Sequence, residues 1–397
     1  MKQFFKKLFC KQNNPSDTNQ SVVPEALDNL SEYDKQMIEK YQNQIQDGTL
    51  ILYRDPDLKS LYFIRLLKLN ILVLECCCNI IPKLESSTIK KLEITNCGIQ
   101  SAKDFQLENL EVLGVFNFDD YLELNALAKE IVQFKKLKEL ALQQCITDYS
   151  PLAQMTGLTE LSLQTCELRS TETLKPLINL EKLYLNYNKD IDITTLQYLT
   201  NLTYLSLVSS NLVRLDALKP LVNLKVLYLD VNEDIDITAL QYLTNLTILQ
   251  LAYCNLVNID ALRPLKKLEE LSIYDNKIVY LQPLMELRQL SKLYVRDNRI
   301  MDTESIQLHP NFNSFILDNQ NEPTKEELQT ANIMKDINNQ ISSLKQICKV
   351  SQNIKDLNTV FRQNINQQLQ DSYNNHEQLL TRAAKLFQKM NAFDSYQ

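Results

Sequence analysis

The stretch NKDIDITTLQYLTNLTYLSL, residues 188–207, recurs 44 residues later as NEDIDITALQYLTNLTILQL, residues 232–251. Within this duplication a shorter frame repeats every 22 residues. With Leu180 as position 1, apolar residues occupy positions 1, 4 and 6, and Asn, Cys or Ser occupies position 9. A fixed internal period of this length predicts a solenoid rather than separate globular domains. Eleven copies of the frame begin at Leu69, Ile89, Leu110, Leu137, Leu158, Leu180, Leu202, Leu224, Leu246, Leu268 and Leu290.

Each repeat is expected to contribute one short strand and one tight turn. Positions 4 and 6 are two residues apart, so in an extended segment Leu183 and Leu185 point to one side and Tyr184 points to the other. Later in the repeat the apolar spacing becomes three, as in Leu196 and Leu199, which is the period of a tight helical turn. Stacked repeats then bury the leucines between a curved parallel sheet and a convex side of short turns. The predicted fold class is therefore α/β.

This frame resembles the leucine-rich repeat, and the resemblance covers about residues 69–312. The 22-residue period is similar to that of a phosphatase regulatory subunit and of bacterial internalins, and the whole chain is similar to leucine-rich-repeat proteins of protists that carry a helical tail. The resemblance implies protein binding without enzymatic activity, and a position-9 side chain that turns inward and bonds the adjoining loop. One repeat departs from the frame, since it has Phe118 at position 9 and takes 27 residues. A longer convex element near residues 124–134 is expected to absorb the extra length.

Most cysteines are explained by the frame rather than by chemistry. At position 9 a thiol bonds backbone groups more weakly than an amide does, and we expect such thiols to be buried and inert. The run of residues 76–78 lacks the two-residue gap of zinc-binding pairs, and neither His309 nor His376 has the neighbours of a metal or nucleophile motif. No cofactor or metal site is therefore predicted. The position-9 cysteines are Cys77, Cys97, Cys145, Cys166 and Cys254.

The two copies of the 44-residue unit differ mainly on the outward side of their strands. Residues 179–222 and 223–266 share 29 of 44 residues, yet eight of the ten pairs at frame positions 2, 3, 5, 7 and 8 differ. Six polar residues expected on the convex side are unchanged, which favours the concave strand face as the place where binding specificity was altered. The alternative is drift at exposed positions. The unchanged residues are Asp190, Asp192, Thr194, Gln197, Tyr198 and Thr200.

The predicted concave face carries tyrosines interleaved with charged side chains. Tyrosine gives a large contact area at low entropic cost, and arginine is a common hot-spot residue, so this composition is typical of protein interfaces. The alternative is that the tyrosines only cover the sheet through cross-strand contacts. The candidate protein-binding residues are Lys182, Tyr184, Tyr187, Tyr204, Tyr228, Asp230, Tyr253, Tyr274, Asp275, Tyr294 and Arg296.

The ends of the solenoid have sequence patterns of their own. Residues 31–68 are predicted to form an N-terminal cap, in which an amphipathic helix over residues 31–47 stops at Gly48. The solenoid spans residues 69–322 and closes with an irregular twelfth unit. Residues 323–397, with apolar residues three and four apart, predict a helical hairpin or small bundle, or alternatively a coiled coil with a partner helix.

Residues 1–30 are predicted to be a disordered basic leader. The start MKQFFKKLFC is the one candidate for membrane contact, through residues 1–11 with Cys10 as an acylation site, but lysines interrupt its apolar stretches. The sequence shows neither a secretory core nor an apolar run long enough to cross a bilayer, so a cytoplasmic location is expected. In that compartment Asn201 and Asn245, although they begin NxT, are joint residues of the repeats rather than glycosylation acceptors.

Composition narrows the functional classes. Four glycines leave little material for loops that cradle phosphates, and a net charge of -7 disfavours nucleic-acid binding. We therefore expect a monomeric, non-catalytic scaffold that binds a protein on the concave face of the arc. One alternative is a regulatory subunit of a protein phosphatase or other enzyme. A second is a cytoskeletal or membrane-periphery structural protein that uses the tail and the leader.

Overall fold

The computed structural model describes residues 30–55, 58–77, 84–97, 102–116, 125–143, 148–301, 304–307, 309–311, 315–316, 328–329 and 332–333. The basic leader with Cys10 lies outside the described residues, as do Cys78, Phe118, Cys145 and His376. Of the predicted helical tail, only two pairs of residues, 328–329 and 332–333, are described, both in helical conformation. The predicted hairpin or coiled coil therefore also lies outside the described residues.

Thirteen of the fifteen described strands form one parallel sheet, and they follow one another in chain order. Parallel neighbours in strict sequence are the topology of a solenoid, because each repeat contacts only the repeats beside it. β3 and β5 form a separate two-stranded parallel sheet. The strands are β1 Thr49–Tyr53, β2 Ile71–Glu75, β3 Leu84–Glu85, β4 Lys91–Thr95, β5 Phe105–Gln106, β6 Val112–Phe116, β7 Glu139–Gln143, β8 Glu160–Ser162, β9 Lys182–Tyr184, β10 Tyr204–Ser206, β11 Val226–Tyr228, β12 Ile248–Gln250, β13 Glu270–Ser272, β14 Lys292–Tyr294 and β15 Phe315–Ile316.

The register of the sheet aligns equal frame positions. Leu183 pairs with Leu161 of the preceding repeat and with Leu205 of the following one. All three side chains are fully buried, as are the leucines at positions 1 and 6 of the same repeats. Since full burial of one leucine contributes about 1.5–3 kcal/mol relative to exposure, the stacked leucine rows are the main stabilising element of the fold.

The convex side consists of short 3₁₀ helices that alternate in length. From residue 150 to residue 286, five-residue and three-residue helices follow each other in strict alternation. The 44-residue duplication is therefore a two-repeat structural unit, in which each partner repeat has its own kind of turn. The 3₁₀ helices are Tyr62–Leu66, Ile131–Gln133, Ser150–Gln154, Glu172–Leu174, Thr194–Tyr198, Asp216–Leu218, Thr238–Tyr242, Asp260–Leu262 and Gln282–Glu286.

Three α-helices are described, and the first covers the open end of the leucine core. They are α1 Glu32–Gln42, α2 Asn125–Glu130 and α3 Glu304–Gln307. The side-chain oxygen of Ser31 accepts a hydrogen bond from the amide of Asp34, which caps the start of α1. The ring of Tyr41 stacks on Phe63 at 5.8 Å. The helix ends earlier than the predicted residue 47, because Gln46 pairs with Thr49 in a β-bridge.

The longer convex element expected near residues 124–134 is confirmed. α2 runs directly into the 3₁₀ helix Ile131–Gln133, so the extra residues of this repeat form one additional helical turn. The carboxylate of Glu130 at its end accepts hydrogen bonds from the amides of Ala102 and Lys103 at 2.6 and 3.0 Å. This contact ties the long element to the preceding repeat.

Candidate protein-binding surface

Buried asparagines at position 9 fix the chain where each strand ends. The amide nitrogen of Asn188 donates to the carbonyls of Leu163 and Leu185 at 2.7 and 2.8 Å. Its oxygen accepts from the amides of Cys166 and Leu168 at 3.1 and 2.9 Å. Asn188 therefore joins its own repeat to the preceding one, and it is completely buried. Equivalent contacts are made by Asn232 and Asn276.

The described position-9 cysteines are buried, as predicted. The thiol of Cys166 can donate to the carbonyl of Leu142 at 3.3 Å or to that of Gln164 at 3.4 Å, but not to both at once. Its amide is bonded by Asn188 of the next repeat, and Asn276 does the same for Cys254. Cys166 and Cys254 are thus each followed by a repeat whose asparagine amide reaches back to them. Burial raises the pKa of the Cys254 thiol to about 12, which keeps it protonated.

Cys77 and Cys97 are position-9 cysteines of two adjacent repeats, and they contact each other. The amide of Cys77 donates to the sulfur of Cys97 at 3.3 Å, and the thiol of Cys77 donates to the carbonyl of Leu52 at 3.1 Å. The hydrogen bond between the two thiols lowers the pKa of Cys77 and raises that of Cys97. Both side chains are buried, so neither sulfur is accessible at the surface even though the pKa of Cys77 is lowered.

The concave face consists of the side chains at frame positions 3, 5, 7 and 8. At position 5, tyrosine alternates with small serine through Ser162, Tyr184, Ser206 and Tyr228. This alternation gives each ring room on a sheet whose strands are about 4.8 Å apart. The rings connect diagonally through Tyr204, which lies 4.7 Å from the ring of Tyr184 and 5.5 Å from that of Tyr228.

The packing of this aromatic cluster removes Tyr184 from the accessible surface. The side chain of Tyr184 is only 4% exposed, whereas Tyr204 and Tyr228 are half-buried. Burial, followed by the charge of Glu160, raises the pKa of Tyr184 well above its ordinary range, and burial does the same for Tyr204. These rings are neutral and pack against one another, so little of the Tyr184 side chain is accessible to a partner.

Charges at position 3 of the concave face form ion pairs between neighbouring strands. The ammonium of Lys182 lies 2.6 Å from a carboxylate oxygen of Glu160, and that of Lys292 lies 3.0 Å from Glu270. Between these two pairs, Tyr204, Val226 and Ile248 occupy position 3 of three consecutive strands. Position 3 is therefore uncharged in these three middle strands, and on either side of them its charges neutralise each other.

A second aromatic group lies at the carboxyl-terminal margin of the strands. The rings of Tyr253 and Tyr274 meet edge to face at 5.3 Å, and the guanidinium of Arg296 lies 5.2 Å from the centre of the Tyr274 ring. The negative charge of Asp275 raises the pKa of Tyr253. This margin combines aromatic rings with charges of both signs at the surface.

Comparisons with solved structures agree with this architecture. Internalin InlF of Listeria monocytogenes is 22% identical, covering 63% of this chain and 82% of that chain with a TM-score of 0.50. A chain of the mouse RP105/MD-1 complex is 21% identical, covering 69% of this chain and 50% of that chain with a TM-score of 0.52. The chain has the leucine-rich-repeat fold. At these identities the likeness is one of fold. No protein-family model and no curated protein matches the sequence.

The leucine-rich-repeat structure places all eleven predicted contact residues on the concave face or its margin, but with unequal exposure. Tyr184 is the one that is buried. Sequence reasoning also omitted Val231, whose side chain is 42% exposed at position 8, because only aromatic and charged residues were sought. Tyr187, Tyr253, Asp275 and Arg296 are exposed, and Lys182, Tyr204, Tyr228, Asp230, Tyr274 and Tyr294 are half-buried.

The convex residues that recur in the duplication have structural roles of their own. The carboxylate of Asp192 accepts from the amide of Thr194 at 2.9 Å, and the side chain of Gln197 donates to the carbonyl of Thr194 at 3.0 Å. Asp190 has a positive φ of 57° and bonds Asn211 of the next repeat. Bonding within and between the turns therefore accounts for four of the six unchanged residues, namely Asp190, Asp192, Thr194 and Gln197. The contrast with the variable concave face is therefore weaker support for altered specificity than the sequence alone suggested.

Other predicted residues serve the joints between repeats. The side chain of Asn201 donates to the carbonyl of Ile178 at 2.9 Å, and that of Asn245 donates to Val222 at 2.8 Å, so both are joint residues. His309 is buried, accepts from the amide of Asn311 at Nδ1, and donates from Nε2 to a carbonyl of the preceding repeat. Within the described ranges, no group of three His, Cys, Asp or Glu side chains is arranged to hold a metal ion. No described helix is long and apolar enough to span a bilayer.

Asp230 is a half-buried carboxylate at a position where the duplicate repeat has an amide. Its oxygen accepts from the amide of Ala252 at 2.8 Å, as the oxygen of Asn186 accepts from Val208. Burial raises the pKa of Asp230 to about 6, above its ordinary value of 3.8. A raised acid pKa stabilises the fold only while the group is protonated. This contribution is complete below about pH 4 and is lost as the pH rises through about 6.

Replacing Asp230 with asparagine is expected to stabilise the protein at neutral pH only. Removing the ionised carboxylate should raise the unfolding free energy by about 1–3 kcal/mol at pH 7.5, because each unit of pKa shift corresponds to about 1.4 kcal/mol. At pH 4 the gain should vanish. Urea unfolding at both pH values measures it. Asn186→Asp is the reverse control, and it should lose stability at pH 7.5 but not at pH 4. A gain of equal size at both pH values would contradict this account.

Proposed function

We propose that this leucine-rich-repeat protein is a non-catalytic, cytoplasmic scaffold that binds a protein partner on its concave face. The observation that carries the proposal is a row of three exposed apolar side chains at position 8, which Ser209 interrupts between the first and the second. Tyr187, Val231 and Tyr253 are 43%, 42% and 45% exposed, although the leucine core beneath them is complete. The core does not require apolar residues at these positions, and large exposed apolar patches often mark interaction sites.

The rigidity of the face supports binding by the arc itself. Each strand from β8 to β14 is hydrogen-bonded to a strand on both sides, and the asparagines at position 9 fix the loops where the strands end. The scaffold therefore loses little conformational freedom when a partner binds to this surface, and this small entropic cost favours affinity. Lys182 and Lys292 on this face are held in ion pairs with Glu160 and Glu270, which limits the movement of their side chains.

Affinity capture with two matched variants tests the proposal. Tyr187→Ala/Tyr253→Ala removes the exposed concave tyrosines, and Tyr198→Ala/Tyr242→Ala removes convex tyrosines that are 47% and 51% exposed. The concave variant should weaken partner binding about 30–1,000-fold, since each of its two interface tyrosines typically contributes about 1–2 kcal/mol and 1.4 kcal/mol corresponds to about tenfold. The convex variant should bind as the wild type does. Partners are identified by mass spectrometry, and affinity is measured by calorimetry.

Three results would count against concave binding. These are equal binding by all forms, loss only in the convex variant, and capture by the isolated tail alone. A captured phosphatase or kinase whose activity changes on binding would identify the scaffold as a regulatory subunit. A cytoskeletal partner held through the tail would instead favour the structural role.

A further inference from the structure

The exposed row at position 8 has a fixed backbone conformation. Tyr187, Val231 and Tyr253 have positive φ angles of 61°, 59° and 56°. Their amides donate to carbonyls of the next repeat at 2.8, 2.8 and 3.2 Å. A non-glycine residue persists in this left-handed conformation only where surrounding hydrogen bonds hold its backbone, and the held backbone fixes the direction of the side chain. The row is thus a preformed ridge along the margin of the concave face.

At frame positions 3, 5, 7 and 8, the charges near this ridge that form no ion pair are negative. The cationic side chains at these positions between residues 160 and 297 are Lys182, Lys292 and Arg296, and each lies within 4 Å of a carboxylate. Arg296, for example, is 3.7 Å from Asp297. Asp230 and Asp275, in contrast, form no ion pair within the described part of the chain. Asp230 lies one repeat before Tyr253, and Asp275 lies one repeat after it.

The molecule itself shows how a cation lies on this aromatic pair. The guanidinium of Arg296 lies 5.2 Å from the ring of Tyr274, whose edge contacts Tyr253. Arg296 occupies the Tyr274 side of the pair. The ring of Tyr253 is 45% exposed and has Asp275 beside it. A second cation on Tyr253 would gain the attraction of the ring and of the unpaired carboxylates.

We propose that the partner segment bound here is basic and apolar. A lysine or arginine of the partner lies on Tyr253 between Asp230 and Asp275, and apolar residues of the same segment cover Val231 and Tyr187. Tyr187 and Tyr253 are three repeats apart, or about 14 Å at a strand spacing of about 4.8 Å. In an extended segment, the basic residue and the residue on Tyr187 are therefore about four positions apart. This inference rests on the proposed function and specifies the chemistry of its partner.

A random peptide library displayed on phage and selected on the full-length protein tests the inference. Enriched sequences should contain Lys or Arg about four positions from an aromatic or aliphatic residue. A synthetic peptide of the enriched sequence should bind Asp275→Asn about tenfold more weakly than the wild type. Asp234→Asn removes an exposed carboxylate outside the concave face, and it should leave affinity unchanged.

The outcomes separate this inference from the proposed function. Acidic or uncharged peptides whose binding is lost in Tyr187→Ala/Tyr253→Ala would overturn the basic partner and leave concave binding intact. Peptides that bind equally well to Asp275→Asn and to the tyrosine variant would contradict both. Failure of the selection to enrich any sequence would overturn the basic segment, while protein capture through the concave tyrosines would still support the scaffold.

Discussion

Replacing Leu227 with aspartate is expected to unfold the middle of the solenoid, with a loss of about 5 kcal/mol or more in unfolding free energy. Leu227 is completely buried and pairs with Leu205 on one side and Leu249 on the other. A carboxylate there would be enclosed by leucines with no hydrogen-bond donor. Because each repeat is stabilised by its neighbours, the substitution disrupts stacking in both directions. Urea unfolding followed by circular dichroism measures the loss.

The neighbouring residue provides the matched control for Leu227→Asp. Val226 is half-buried on the concave face, where a charge stays in contact with water. Val226→Asp should change the unfolding free energy by less than about 1 kcal/mol. The two substitutions introduce the same side chain at adjacent residues. They differ only in the face of the strand on which the carboxylate lies, because successive side chains of a strand point to opposite faces. Similar losses in both variants would contradict the assignment of faces.

The period and type of the repeat could be predicted from sequence because they depend on local spacing. Leucines two residues apart determine which side of a strand is buried, and their recurrence every 22 residues determines how the strands stack. The spacing of Leu183 and Leu185 therefore sufficed to place Tyr184 on the opposite face. The internal duplication likewise indicated a two-repeat unit. Its physical basis, alternating turn lengths and alternating position-9 bonding, appeared only in the structure.

The exposure of the candidate residues depends on contacts between repeats, which spacing does not specify. Tyr184 is buried because Tyr204 of the following repeat packs diagonally against it. Asp230 is half-buried just beyond the carboxyl-terminal end of its strand, and this burial raises its pKa although the hydrogen bond from the amide of Ala252 acts in the opposite direction. Val231 was overlooked because its side chain is neither aromatic nor charged. A residue's position in the frame thus predicts its face, whereas its neighbours determine whether a partner can reach it.

Asn232→Ala is expected to lower the unfolding free energy by about 3–5 kcal/mol. The completely buried amide of Asn232 bonds the carbonyls of Leu207 and Leu229 and the amides of Ser210 and Leu212, at 2.7–3.2 Å. Alanine leaves these four backbone groups without their hydrogen-bond partner. Each unpaired buried group costs about 1–3 kcal/mol of stability. Partial access of water to the loop reduces the sum. Thermal and urea unfolding of the full chain measure the change.

Two further variants distinguish the loss of the buried Asn232 hydrogen bonds from the effect of removing any asparagine side chain. Asn223 makes one surface bond to the carbonyl of Thr200, so Asn223→Ala should cost only about 0.5–1.5 kcal/mol. Asn232→Cys should fall between the two alanine variants, because the thiol keeps a donor for one carbonyl, as Cys254 does toward Leu229. The amide of Ser210 would still lose its acceptor. If Asn232→Ala and Asn223→Ala lost equal stability, position 9 would not hold adjacent repeats together through its buried hydrogen bonds.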